Sequence, residues 1–115
     1  MRCLSDLVVK ANGAPGRWVL DEPLIWELDN TSILEVPAGF KTDLASIPPP
    51  FRNILNVNGR SRRAAVLHDY LYKTKEKPRA KCDLLFRQGL IAEGMSRLGA
   101  YTYWLGVRAG GWVYY

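Results

Sequence analysis

Two cysteines and one histidine are all that 115 residues contain of those types, and each scarcity excludes a class of chemistry. Cys3 and Cys82 are too few for a disulfide scaffold or a zinc cluster, so both are expected to be reduced, largely buried thiols. With His68 as the only histidine, metal-dependent phosphohydrolases built on several histidine ligands are excluded, although a His-Asp dipeptide is present. Zinc sites with His and Cys spacing fall for the same reason. No apolar run is long enough to cross a bilayer. Met1-Arg2-Cys3-Leu4-Ser5-Asp6 meets an acid before any apolar stretch, which does not fit a signal peptide. Synthesis and folding in a cytoplasm are therefore expected. No phosphate-cradling glycine loop follows a strand, and no nucleophile-elbow pattern surrounds Ser46. Repeats and low-complexity stretches are absent.

What is present suffices for a core. Hydrophobic residues make up 48% of the chain and aromatics 11%, and the length fits a single domain over 1–115. The formal net charge is +5. Much of the positive charge lies between Arg52 and Lys81, at Arg60, Arg62, Arg63, Lys73, Lys75, Lys77, Arg79 and Lys81. Such a cluster can meet phosphate on nucleic acid or on a lipid surface. No base-stacking motif or groove-reading helix accompanies it, so a solvated rim is preferred and nucleic acid is not the expected partner.

The first half reads as β and the second as α. Leu7-Val8-Val9 and Arg17-Trp18-Val19-Leu20 are strand candidates on either side of the Asn12–Gly16 turn. Leu24–Leu28 and Ser32–Val36 flank Asp29-Asn30-Thr31 and predict a hairpin. Residues 37–50 hold four prolines and Gly39, which exclude a regular central strand. So long an irregular stretch is more often functional than idle. Ser61 offers an N-cap oxygen to a helix over 62–74. Pro78 fits the first turn of a second helix over about 79–93, which Gly94 ends. Ser96 starts a third helix to about Ala109, and Trp112–Tyr115 form an aromatic tail. The fold class predicted is α+β: a small antiparallel β-sheet from the N-terminal half, packed on two or three helices from the C-terminal half.

The chemistry concentrates on the first two helices. Ala64, Leu67, His68, Leu71 and Tyr72 share a mostly apolar face, so His68 points to a core or a cleft. Asp83, Phe86 and Leu90 share a stripe on the next helix. A buried carboxylate is costly unless paired, and a short loop makes the helices antiparallel neighbours, so His68 and Asp83 are the natural pair. A carboxylate on one imidazole nitrogen fixes the tautomer and leaves the other to take a proton from water. Asp69, with oxygens of the 39–50 loop including Asp43, could hold a hard cation such as calcium. Each group also has a structural alternative. His68 and Asp83 would then be a buried polar clamp, Asp69 would pair with Lys73 at i+4, and Asp43 would be an Asx-type cap.

Three blocks in order, Val36–Pro48, Ala64–Tyr72 and Asp83–Phe86, resemble an uncharacterised domain family of tailed phages and prophages. The closing Val107–Trp112 also looks like that family's end. The resemblance implies a phage or prophage origin, synthesis in a bacterial host cytoplasm and a place in the virion or tail, with other phage structural proteins as partners. Locally, His68-Asp69-x-x-Tyr72 followed by Cys82-Asp83 is similar to the phospholipase A2 pattern. That similarity implies His68 as the base that activates water, Asp69 as a calcium ligand, Asp83 as the group orienting the histidine, and Tyr72 as support for Asp83. It also implies ester hydrolysis at a membrane lipid surface. The pattern's glycine- and cysteine-rich calcium loop is missing, and the loop around Asp43 would have to replace it. The rival expectation is a non-enzymatic structural or assembly component.

Overall fold

A computed structural model describes residues 1–11, 13, 17–29, 32–43 and 61–110, with only the backbone of Arg17, Asp43 and Ser61. The chain is α+β, with strands first and helices after them. One antiparallel sheet holds β1 (Arg2–Cys3), β4 (Leu24–Glu27) and β5 (Ile33–Val36) in the order β1-β4-β5. The other holds β2 (Val9–Ala11), β3 (Arg17–Leu20) and β6 (Lys41–Asp43) in the order β2-β3-β6. The helices are α1 (Ser61–Thr74), α2 (Arg79–Ala92) and α3 (Arg97–Gly110).

The expected hairpin forms, with Leu24 opposite Val36 and Trp26 opposite Leu34. Leu28 N–H donates to the Ser32 carbonyl across its base. Alternation along both strands puts Leu24, Trp26, Leu34 and Val36 on one buried face, as a sheet covered on one side requires. Four strand assignments differ from the sequence reading. Arg2–Cys3, where no strand is expected, pairs with β4. The strands form two three-stranded sheets rather than one, because β3 pairs with β2 and β6 and not with the hairpin. The second strand begins at Val9, two residues later than its apolar start suggests. Lys41–Asp43, inside the proline-rich stretch, form an edge strand. These three residues contain no proline, so their N–H groups are available, and among the described residues they pair on one side only. Gly39 makes the bend before them with φ +88°, and Phe40 N–H closes the turn on the Pro37 carbonyl.

The helix ends follow local rules. Pro78 stands just before α2 with extended φ and ψ and no side-chain cap, one position earlier than its expected place in the first turn. Gly94, at φ +102°, ends α2, and Met95 N–H reaches back to the Leu90 carbonyl, a left-handed cap. Ser96 Oγ accepts the Gly99 N–H and caps α3. The expected Ser61 side-chain cap, the end of the proline-rich loop and the aromatic tail lie outside the described residues.

Paired contacts fix the helix directions. His68 and Tyr72 of α1 meet Asp83 near the start of α2, while Arg63 near the start of α1 meets Glu93 just past the end of α2. Arg79 at the start of α2 reaches the Val107 and Arg108 carbonyls at the end of α3. The three helices therefore run antiparallel in sequence, as short connections dictate. Their inner faces bury Leu67, Leu71, Leu85, Phe86, Leu90 and Ala100 against the β4-β5 hairpin. At Gly89 an added Cβ would lie 3.3 Å from the Ala64 Cβ and 3.4 Å from the Trp26 ring. The small side chains of Gly89 and Ala64 bring α1, α2 and β4 together over that indole. Trp26 is wholly buried, and its indole N–H has no partner among the described residues.

Trp26→Ala would leave a large void where two helices meet the sheet and is expected to cost about 3–5 kcal/mol. Trp26→Phe keeps most of the ring and removes an unpaired buried donor, so it should cost well under half of that. Chemical denaturation of the two variants checks both values, and equal losses would contradict the packing role assigned to the indole.

Candidate functional site

Asp83 has no exposed surface and is the point on which the three helices converge. Its Oδ1 lies 2.8 Å from His68 Nε2 and accepts the Tyr72 hydroxyl. Its Oδ2 accepts from Arg108 Nη1 at 2.9 Å, and Arg79 Nη1 stands 3.5 Å from the same oxygen. The four partners come from all three helices, with His68 and Tyr72 from α1, Arg79 from α2 and Arg108 from α3. His68 and Tyr72 are four residues apart on α1, so both side chains lean on one face. Arg79 and Asp83 have the same spacing on α2.

Burial by itself pushes the Asp83 carboxyl up. Hydrogen bonds from His68, Tyr72 and Arg108 outweigh that and hold it below the usual carboxylate range. The group is therefore a carboxylate at neutral pH and can only accept. It follows that His68 Nε2 carries the proton toward it, and the lone pair of the neutral ring lies on Nδ1. Burial first, and then the bond to Asp83, drive the Tyr72 hydroxyl far above its ordinary range, so it remains a donor. The His68 ring lies against Tyr72, with centroids 4.1 Å apart, and against Phe86 at 4.6 Å. Its side chain keeps 13% exposure, and no described residue takes Nδ1. A fixed, polarised imidazole with one uncommitted nitrogen can act as a general base.

The other expected ligands lie elsewhere. Asp69 faces β6, where its Oδ2 accepts the buried Thr42 hydroxyl at 2.8 Å and lies 3.5 Å from Lys73 Nζ. The i,i+4 pairing with Lys73 is thus formed, and Lys73 also donates to the Lys41 carbonyl at 3.0 Å. These bonds clip α1 to the edge strand. The Asp43 side chain lies outside the described residues, so whether it joins Asp69 is not part of this geometry. Among the described residues no three His, Cys, Asp or Glu side chains gather around one point. The Lys73 ammonium stands beside the Asp69 carboxylate.

Neither thiol is a nucleophile candidate. Burial and the neighbouring Asp83 charge push Cys82 up to about 11. Burial likewise raises Cys3, and both are free cysteines. Arg63 donates to both Glu93 oxygens, 2.7 Å for Nη2 to Oε2, and to the Ser5 carbonyl at 2.9 Å. That pair ties the far end of α1 and α2 to the N-terminal segment.

Sequence reasoning paired His68 with Asp83 and, through resemblance, placed Tyr72 beside them. All three meet. It missed the two arginines. Arg79 was readable from its spacing of four from Asp83, but its place in a run of basic residues suggested solvent. Arg108 lies 25 residues from Asp83 in sequence, where no local pattern reports contact.

A family model described as protein of unknown function (DUF1353) matches residues 18–107. No curated protein and no solved structure matches the chain.

Removing the Asp83 charge tests the electrostatics directly. Asp83→Asn leaves Arg108 and Arg79 without their anion and should cost about 3–5 kcal/mol. The folded pKa lies below the unfolded value of about 3.9. The stabilisation is therefore complete above that value and is lost as pH falls through the folded pKa. Acid titration of stability should fall more steeply for wild type than for Asp83→Asn below about pH 4. Parallel curves would contradict an ionised Asp83.

Proposed function

We propose that this chain, which belongs to the family described as protein of unknown function (DUF1353), hydrolyses ester bonds with His68 as general base and Asp83 as its orienting partner. One observation carries this reading. A wholly buried carboxylate, held ionised, takes one nitrogen of the only histidine, and the ring keeps a partly exposed edge whose other nitrogen no described residue takes.

In this mechanism Nδ1 of His68 removes a proton from water as its oxygen attacks the ester carbonyl carbon. The imidazolium formed is stabilised by Asp83, and it returns the proton to the alkoxide as the C–O bond breaks. The products are a carboxylic acid and an alcohol. Tyr72 holds Oδ1 of Asp83 in place and takes no part in proton transfer. Arg108 and Arg79 hold Oδ2 in the same way. The setting implied by the sequence blocks is a tailed-phage particle. There, cleavage of lipid esters would help breach a host envelope, with phage structural proteins and membrane lipid as partners.

A second reading has its own support. Asp83 takes two guanidinium groups besides the dyad, and its four partners span three helices. A non-enzymatic assembly component would need this clamp and nothing more.

The two readings separate on one pair of measurements. In the enzyme reading, His68→Gln retains most of the thermal stability but lowers hydrolysis of a soluble short-chain phospholipid about 10²–10⁴-fold. In the clamp reading, wild type shows no hydrolysis and His68→Gln chiefly lowers Tm. Assays with added calcium and with chelator report whether the cation implied by the local resemblance takes part.

A further inference from the structure

The outer side of α3 carries a feature the His68 site does not use. Leu98, Tyr101 and Leu105 are 80%, 47% and 51% exposed. Their spacing of three and seven puts them on one stripe of the helix, while Ala100 and Tyr103 face the core. The Arg87 guanidinium of α2 stacks over the Tyr101 ring at 5.5 Å and over the Trp104 ring at 4.9 Å. Ile91, one turn further along α2, is also exposed. From residue 94 to residue 115 the sequence has no acid, and Arg97 stands exposed beside Leu98. Among the described residues no helix is long and apolar enough to cross a membrane, so this face can lie on a bilayer but not span one.

We infer that the exposed α2–α3 face docks on an anionic phospholipid surface, with Leu98 and Leu105 entering the acyl boundary. Tyr101 and Trp104 would sit at headgroup depth, and Arg87 and Arg97 would meet lipid phosphates. Leucine, aromatic and arginine side chains on one helical face are the composition of an interfacial helix. Leu98 projects almost fully into solvent. Fluid acyl chains accept such a residue with no shaped pocket, whereas a protein partner needs one. A second copy of the chain is a poorer occupant. Pairing the face with itself sets Arg87 and Arg97 against their own copies, with no acid on α3 to offset them. For the site, this names the substrate surface and rests on the ester-hydrolase reading. The docking itself does not.

The test is co-sedimentation of the full chain with vesicles of equal parts phosphatidylglycerol and phosphatidylcholine, against vesicles of phosphatidylcholine alone. Binding to the anionic vesicles is expected at least roughly tenfold tighter and weakened by added salt. Leu98→Asp combined with Leu105→Asp should reduce binding by at least about tenfold with an unchanged circular dichroism spectrum. Both positions are exposed, so loss of folding does not confound the result. Absence of binding to the anionic vesicles overturns the proposal, as does equal binding by the double variant. It is also overturned if the same substitutions abolish self-association, or binding to polyglutamate, in a protein that ignores vesicles. His68→Gln keeps the two questions apart. Docking by wild type and by His68→Gln, with no hydrolysis by either, removes the enzyme and leaves the docking surface. Hydrolysis of a soluble ester without vesicle binding removes the docking surface alone.

Discussion

The arrangement of the helices depends on one buried carboxylate. Asp83 is taken out of water completely, which would be prohibitive for an isolated charge. Hydrogen-bond donors from α1 and α3, with the Arg79 guanidinium of α2, converge on its two oxygens. Each donor constrains its helix: His68 and Tyr72 set the rotation of α1, and Arg108 pins the last turn of α3. Arg79 adds bonds to the Val107 and Arg108 carbonyls, so it also serves the C-terminal end of α3, where unpaired carbonyls need donors.

The apolar core and this polar centre divide the work. At one end of the α1–α2 pair, Gly89 and Ala64 allow close approach over Trp26, and the Arg63–Glu93 pair closes the edge. At the other end, Asp83 and its donors hold the same two helices. Packing supplies most of the stabilisation through area removed from water. The charged centre supplies directionality, because a guanidinium and an imidazole satisfy a carboxylate only in a narrow range of geometry. The imidazole that can do chemistry is thereby held rigid by contacts that also serve the fold.

The neighbouring acids behave differently for a physical reason. Asp83 meets neutral or delocalised donors inside the protein. Asp69 lies at the margin, where Thr42 and the flexible ammonium of Lys73 share one of its oxygens. Adjacent positions on a helix point about 100° apart. His68 and Asp69 therefore serve different neighbours, the first the helical centre and the second the edge strand β6. The proposed base is the first group, and the Thr42 and Lys73 bonds of the second fasten α1 to the sheet.

Much of this was legible in the sequence because it is encoded locally. Turn residues announced the β4-β5 hairpin, Pro78 and Gly94 bounded α2, and four-residue spacing put His68 with Tyr72 on one face. The need of an inward acid for a partner then selected Asp83 for His68. Contacts made at long separation were not legible. The division of the strands into two sheets depends on pairing between β3 and β6, 21 residues apart at their closest bounds. The edge strand at Lys41–Asp43 exists only because β3 is there to receive it. No local pattern ties Arg108 to Asp83, and Arg79 reads as part of a solvated basic rim. Whether a cation faces water or a buried carboxylate depends on how the helices pack, and α3 settles that by folding back along α2.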